Sequence, residues 1–155
     1  MKRARTMPGE EADRLYWERI LWASGHEWIA GVDEAGRGPL AGPVVVAAVM
    51  LPHEWAGNGI PDEYVGLNDS KKLSGKSREV FHARLTQDAR IRFAIAEASP
   101  GMIDEINILA ATHWAMNEAL ARLQPAPGHV LVDGDRKSTR LNSSHSSVSR
   151  MPSSA

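Results

Sequence analysis

The sequence predicts a single α/β domain, because short apolar runs of strand length alternate with longer segments of helical periodicity. Residues 43–51 form an apolar, β-branched run without polar alternation, which is typical of a strand buried on both faces. Residues 108–123 instead carry apolar side chains at helical spacing, in a broad stripe that faces a core. A chain of 155 residues is long enough to bury one such core.

Local signals place the other elements of the first half of the chain. They predict a helix over 10–23, a strand over 28–33, a surface loop over 52–66 and a polar connector over 67–74. Gly25 ends the first helix. Pro39, Gly42 and Pro43 break the chain between the two strands.

The second half continues the alternation of helix and strand. It adds a helix from 75 to about 89, a strand over 91–98, the helix over 108–123 and a short strand over 129–132. Ser74 is placed to cap the first of these helices, with Val80, Phe81 and Leu85 facing inward. Along 91–98 large apolar residues alternate with small or charged ones, which predicts a half-buried strand. Ser99 is placed to cap a further helical turn.

Composition and charge exclude several classes of protein. No run approaches the roughly 20 apolar residues of a membrane helix, and no apolar segment behind the basic start makes a secretory signal. The absence of cysteine excludes disulfides and thiolate chemistry and is consistent with a reducing compartment such as the cytoplasm. The net charge of −1 gives no global footprint for nucleic acid, so any such contact must come from local basic groups.

Three carboxylates lie at the ends of predicted strands. Asp33 and Glu34 end the first strand, and Asp133 ends the last one. Side chains alternate along a strand, so Asp33 and Glu34 start on opposite faces, but a turn beginning at Glu34 would swing both towards one site. If the two strands are parallel neighbours, all three carboxylates converge at the carboxyl edge of the sheet, where open α/β sheets place their sites.

Clustered carboxylates repel one another unless a cation neutralises them. Their hard oxygen atoms suit Mg²⁺ or Mn²⁺, whereas a chain without cysteine or closely spaced histidines offers little support for zinc. Two such ions about 3.5–4 Å apart would activate a water and stabilise the leaving oxygen in phosphodiester hydrolysis. An ordinary interpretation stays open for each feature: the acid pair as a solvated strand end, and Lys71 and Lys72 as a solvated face.

Four motifs follow one another between about residue 28 and residue 135. They are VDEAGRGPLAGPVVVAAVML, LNDSKKLS, IDEINILAATHWAMNEAL and VLVDGD. Together, and in this order, they resemble type II ribonuclease H (ribonuclease HII). The first motif is the most specific, because it joins the acid pair, a Gly-Arg-Gly turn and a buried strand in one run. The resemblance implies a ribonuclease H-like mixed sheet flanked by helices.

The resemblance also implies an activity. The family cleaves the RNA strand of RNA–DNA hybrids endonucleolytically, including at single ribonucleotides embedded in DNA, and leaves a 5′-phosphate and a 3′-hydroxyl. It uses Mn²⁺ or Mg²⁺, and Asp33, Glu34 and Asp133 match its first three metal-site carboxylates. The implied partners are RNA–DNA hybrid or DNA with embedded ribonucleotides, bound by a cytoplasmic monomer without a membrane partner.

Two further segments match positions that lie near nucleic acid in the family. Gly36, Arg37 and Gly38 match the turn that grips the ribonucleotide at an RNA–DNA junction. Glycines let backbone amides approach closely, and the 2′-hydroxyl is what separates RNA from DNA. The second segment comprises Asn68, Asp69, Ser70, Lys71 and Lys72. Its lysines would meet phosphates, which position a duplex without reading its sequence.

The chain departs from the family's pattern after Asp135. No aspartate or glutamate follows, so the family's fourth metal-site aspartate has no counterpart, nor have the helix and substrate-contacting tyrosine behind it. Residues 137–155 contain eight serines and almost no apolar periodicity, which predicts disorder. We therefore expect an N-terminal extension and helix (1–27), an incomplete ribonuclease H-like catalytic domain (28–135) and a disordered, non-native tail (136–155) from a frameshift, fusion or adapter-derived read-through.

Several functional interpretations stay open on the sequence alone. The first is a nuclease that is inactive or nearly so, because one carboxylate and part of the fold are lacking. The second is a non-catalytic fragment that holds RNA–DNA hybrid through the Gly-Arg-Gly turn and Lys71 and Lys72 without cutting it. The third is a sequence that does not fold stably. A different metal-dependent nuclease of the same broad fold is disfavoured, because the Gly-Arg-Gly turn directly follows the acid pair.

Overall fold

The computed structural model describes residues 13–38, 41–133 and 147–151, with the backbone alone for 133 and 147–151. The helices are α1 (Tyr16–Ala23), α2 (Trp55–Asn58), α3 (Gly75–Gln87), α4 (Pro100–Ile106) and α5 (Ile108–Ala121). The strands are β1 (Ile29–Ala35), β2 (Val44–Met50), β3 (Arg92–Ala98), β4 (His129–Asp133) and β5 (Ser147–Met151). Short 3₁₀ turns cover Asp62–Tyr64 and Ser70–Lys72. No helix in the described part of the chain is long and apolar enough to cross a membrane.

The strands form one mixed sheet in the order β3-β2-β1-β4-β5. β2 pairs antiparallel with both β1 and β3, whereas β4 pairs parallel with both β1 and β5. The register pairs Val32 with Val132, and Asp33 and Asp133 each follow these paired residues at the carboxyl ends of the two strands. The predicted mixed sheet with flanking helices is therefore confirmed, as is the parallel pairing of the strands that carry the two aspartates.

Helices α4 and α5 cover one face of the sheet, which we call the α5 face. Small side chains dominate the core there, on the helix at 111, 115 and 119 and on the strands at 30, 48, 94, 96 and 98, all of them alanine. Methyl-sized side chains on both partners let a helix pack closely on a sheet. The half-buried character of β3 is thus confirmed, but its alanines are the buried residues, whereas Phe93 and Ile95 are 41% and 46% exposed.

Helices α1, α2 and α3 supply a second cluster on the opposite face, centred on β1 and β4. Its buried members are Leu15, Trp22, Ile29, Trp55, Tyr64, Phe81, Ile91 and Leu131. The segment 52–66 was predicted to be a surface loop, and this is wrong for α2 and the turn Asp62–Tyr64. Trp55 and Tyr64 are buried because they complete this cluster, and their rings lie 5.3 Å apart.

The predicted starts of α3 and α4 agree with the structure, whereas α1 begins at Tyr16 and residues 13–15 of the helix predicted over 10–23 are not helical. The Ser74 hydroxyl accepts a hydrogen bond from the Ser77 amide (3.1 Å) and caps α3. The Ser99 hydroxyl likewise accepts one from the Met102 amide (3.2 Å), with proline at the first helical position of α4. Each side-chain oxygen satisfies an amide that a helix leaves without an internal partner.

Four further predictions of local structure are wrong. β1 continues through Glu34 to Ala35, because β2 pairs with it that far. β2 is fully buried only on the α5 face, since the opposite cluster centres on β1 and β4. Val80 is 41% exposed, and the buried residue of α3 is Phe81. Ser147–Met151 is a strand instead of disordered, because β4 offers it a hydrogen-bonding partner. The rest of 136–155 lies outside the described residues.

Candidate active site

Asp33 and Glu34 lie within β1 and not after its last residue. Val32 is buried in the core of the α5 face, so the alternation of side chains along the strand directs Glu34 to that face and Asp33 to the opposite one. The turn expected at Glu34, which would have brought both carboxylates to one side, is not formed. The two side chains therefore project from opposite faces of the sheet at its carboxyl edge.

The position of the third predicted carboxylate, Asp133, follows from the pairing of β4 with β1. Asp133 is the last residue of β4 and lies one position beyond Val132, which pairs with Val32 of β1. The backbones of Asp33 and Asp133 are thus neighbours at the carboxyl end of two parallel strands. Open α/β sheets place their binding sites at this kind of edge.

Glu34 has a cationic partner in the turn that follows it. An Nη1 atom of Arg37 donates a hydrogen bond to Glu34 Oε1 at 2.9 Å. The side chain of Glu34 is 16% exposed and that of Arg37 is 47% exposed, so solvent screens the ion pair and its net worth is about 0–1 kcal/mol. Asp33 Oδ1 accepts a hydrogen bond from the Glu34 amide at 2.8 Å.

The two glycines of the Gly-Arg-Gly turn differ in backbone conformation and in the space around them. Gly36 has φ of +96°, and a Cβ atom there would lie 2.2 Å from the carbonyl oxygen of Pro43. This position therefore requires glycine, both for its backbone angle and for the close approach to the start of β2. Around Gly38, in contrast, a Cβ atom would meet no atom of the described residues within 4 Å.

The second predicted contact segment, residues 68–72, lies within the predicted polar connector. We call residues 67–73, which precede the cap residue Ser74, the connector. Its polar side chains bond its own backbone: Asn68 Oδ1 accepts from the Asp69 amide at 2.8 Å, and Asp69 Oδ1 accepts from the Lys71 amide at 3.0 Å. The Asp69 contact caps the turn Ser70–Lys72. Lys71 and Lys72 are exposed, so both ammonium groups are accessible to a ligand.

The connector lies over the same face of the sheet as Asp33. Leu67 and Leu73, at its two ends, pack against the cluster that contains Ile29 of β1. Ile29 and Asp33 are separated by four positions along the strand, so they project from the same face. The structure therefore brings the exposed lysines and the first aspartate to one side of the molecule, whereas Glu34 approaches from the other.

The donor set suits a hard divalent cation. Asp33 and Glu34 supply carboxylate oxygens, the ligands that Mg²⁺ and Mn²⁺ prefer. Among the described side chains, which do not include that of Asp133, no group of three or more aspartate, glutamate, histidine or cysteine residues could hold a metal. The predicted third ligand, Asp133, follows Val132, the residue of β4 that pairs with Val32 of β1.

Comparison with known proteins assigns the family. The family model described as Ribonuclease HII matches residues 30–152. The chain belongs to the ribonuclease HII family. The matched range extends through most of the segment predicted to be a non-native tail, and the origin of that segment stays a prediction.

Similar proteins agree with this membership. The chain is 48% identical over 125 residues to ribonuclease HII of Bacillus cytotoxicus, a match that covers 81% of this chain and 45% of that protein. It is 52% identical over 118 residues to ribonuclease HII of Ruegeria pomeroyi, covering 76% and 47%. The crystal structure of ribonuclease H2 from Pyrococcus horikoshii OT3 superposes with a TM-score of 0.64 at 26% identity, covering 79% and 61%. The chain thus spans about half the length of these curated relatives and has a ribonuclease H-like fold.

Two arginines that contact the connector were not among the predicted site residues. Arg78 of α3 donates to the carbonyl oxygens of Ser70 (3.0 Å) and Leu73 (2.8 Å), and Arg14 donates to the carbonyl oxygen of Leu67. Their partners are backbone atoms, so no residue type in the sequence marks the pairing. The only available signal is the position of Arg78 one helical turn after the cap Ser74.

Proposed function

We propose that this ribonuclease HII family member is a metal-dependent endoribonuclease that hydrolyses the RNA strand of RNA–DNA hybrids, including single ribonucleotides embedded in DNA. The products would carry a 5′-phosphate and a 3′-hydroxyl. The observation that carries the proposal is the parallel register of β1 and β4, which pairs Val32 with Val132. Asp33 and Asp133 follow these residues at the carboxyl edge of the sheet, shortly before the Gly-Arg-Gly turn in the case of Asp33. Family membership supports the substrate class.

Asp33, Glu34 and Asp133 are the proposed ligands for two Mn²⁺ or Mg²⁺ ions. Bound there, such ions would activate the attacking water and stabilise the leaving oxygen. Glu34 has one oxygen engaged by Arg37, so ligation by that oxygen would require the arginine to turn away. The released guanidinium would then be available for a phosphate, for which its planar fork of donors is well suited.

The remaining proposed contacts bind the nucleic acid. The backbone at Gly38 and the amides of the turn held by Gly36 would lie against the ribonucleotide, whose 2′-hydroxyl distinguishes it from DNA. On the connector, Asn68 and Ser70 would contact the duplex, and Lys71 and Lys72 would meet its phosphates. We further propose that the protein acts as a monomer in the cytoplasm.

The experiment that tests this function is cleavage of a DNA duplex that carries one ribonucleotide, with protein in excess over substrate. We expect a nick on the 5′ side of the ribonucleotide that requires Mn²⁺ and is absent with chelator or in Asp33→Asn. Nicking that persists in Asp33→Asn would refute the assignment of the site. Salt-sensitive binding of hybrid without any nick would favour the binding-only alternative.

A further inference from the structure

The connector is held by an arginine that lies outside it, Arg78 of α3. One guanidinium nitrogen of Arg78, on the first turn of α3, donates to the carbonyl oxygens of Ser70 at 3.0 Å and Leu73 at 2.8 Å. These two carbonyl groups bracket Lys71 and Lys72 in the sequence. A single side chain therefore ties both ends of the turn that carries the two lysines.

Other hydrogen bonds also hold the backbone of the connector. Arg14 holds the Leu67 carbonyl at the near end, and the side chains of Asn68 and Asp69 bond backbone amides within the segment. All of these bonds are made to the backbone and leave the ammonium groups of Lys71 and Lys72 exposed. A segment arranged in this way has a fixed main chain and accessible cations.

We propose that Arg78 is a positioning residue for nucleic-acid binding, which acts by holding the backbone of 70–73 so that Lys71 and Lys72 meet the phosphates of the bound duplex. The inference rests on the proposed function, because it assumes that the connector contacts RNA–DNA hybrid. Ordering an exposed segment before binding removes an entropic cost that the complex would otherwise bear. Arg78 thus contributes to affinity through the two lysines.

The chain offers a closely matched control on the same helix. Arg84 is also an exposed arginine of α3 that donates to a backbone carbonyl, but its partner is Glu63, outside the connector. Arg84→Ala removes the same charge and the same kind of bond as Arg78→Ala, and in addition the contact of the guanidinium with the Phe81 ring at 5.8 Å. Any difference in hybrid affinity between the two variants reports the position of Arg78 and not the loss of one positive charge.

The test is a titration of a fluorescently labelled RNA–DNA hybrid with the full chain in chelator, followed by anisotropy. We expect Arg78→Ala to raise Kd about 2- to 10-fold, the range of one ordinary hydrogen-bonding interaction. Arg78→Met, which keeps the aliphatic stem, should match it. Arg78→Lys should stay within about twofold of the unsubstituted chain, since an ammonium has three donors and can bridge both carbonyls. Arg84→Ala should also stay within about twofold.

A double-mutant cycle separates positioning from direct contact with phosphate. If Arg78 acts through the lysines, Arg78→Ala has no further effect on Kd when Lys71 and Lys72 are both alanine. Amide hydrogen exchange at 70–73 should accelerate in Arg78→Ala and not in Arg84→Ala.

Two outcomes would overturn the inference while the proposed function stands. One is that Arg78→Ala and Arg84→Ala have equal Kd values. The other is that the effects of Arg78→Ala and the lysine substitutions add fully, which would make Arg78 a phosphate contact. Failure of the unsubstituted chain to bind hybrid would instead overturn the proposed function, and the inference with it.

Discussion

Replacing Gly36 with alanine tests whether the turn behind the acid pair depends on glycine. Gly36 has φ of +96°, and its added Cβ atom would lie 2.2 Å from the carbonyl oxygen of Pro43 and 3.3 Å from the Cα atom of Val44. Both contacts are to backbone at the start of β2, so no flexible side chain can move aside. The substitution must therefore shift the turn, the strand or both.

The cost of Gly36→Ala has two parts. An alanine held at positive φ loses about 1–2 kcal/mol, and forced repacking of a close contact typically costs about 1–3 kcal/mol. The expected loss in the free energy of unfolding is therefore about 2–5 kcal/mol. At roughly 2–4 °C per kcal/mol for a chain of this size, Tm should fall by about 4–20 °C.

Thermal unfolding followed by circular dichroism measures this effect, and Gly38 provides the control. A Cβ atom at Gly38 would meet no described atom within 4 Å, so Gly38→Ala should change stability by less than about 0.5 kcal/mol. The requirement for glycine at position 36 is refuted if Gly36→Ala melts at the same temperature as the unsubstituted chain. It also fails if Gly38→Ala is as destabilising, because the effect would then not come from the close approach to Pro43.

Three further predictions concern stability away from the site. Burial, reinforced by a 2.8 Å hydrogen bond to Asp88, raises the pKa of Tyr64 to about 12, and Tyr64→Phe should lower the free energy of unfolding in urea by about 1–2 kcal/mol. Burial and, to a smaller extent, the neighbouring His26 lower the pKa of His129, so the unfolded chain binds this proton more readily than the native one. Stability should therefore fall as the pH drops below about 6.5, and His129→Gln should reduce this slope across urea midpoints from pH 8 to pH 5. Asn107 caps α5 at φ of +69°, so Asn107→Ala should cost about 2 kcal/mol and Asn107→Gly less than about 1 kcal/mol by the same measurement.

The sequence predicts the parts of this fold that depend on local pattern. The strand-forming runs, the caps at Ser74 and Ser99 and the stripe along 108–123 each follow from residue types at fixed spacing. The parallel pairing of the strands that carry Asp33 and Asp133 could also be anticipated, since both residues follow apolar runs and parallel strands end at a common edge. Physical reasoning from spacing therefore gives the framework of the candidate site.

Features that depend on contacts between distant segments could not be predicted. β1 runs on past Asp33 because β2 pairs with it, and that partnership is not encoded within β1. α5 packs over the alanines of β3, so Phe93, which alternates with them, lies on the opposite face of the strand and is exposed. The choice of the covered face depends on the helix and not on the strand. Arg78 bonds carbonyl oxygens, which every residue has, so its role leaves no mark in the sequence.

The most direct test of the central claim is to locate a bound divalent ion by paramagnetic broadening of backbone amide signals. Substoichiometric Mn²⁺ would be added to the isotope-labelled full chain, and to Asp33→Asn under the same conditions. We expect the amide signals of Asp33, Glu34 and Asp133 to broaden first, and this broadening to disappear in Asp33→Asn. Broadening that begins elsewhere on the molecule, or that is unchanged in Asp33→Asn, would contradict a metal site at the carboxyl edge of β1 and β4.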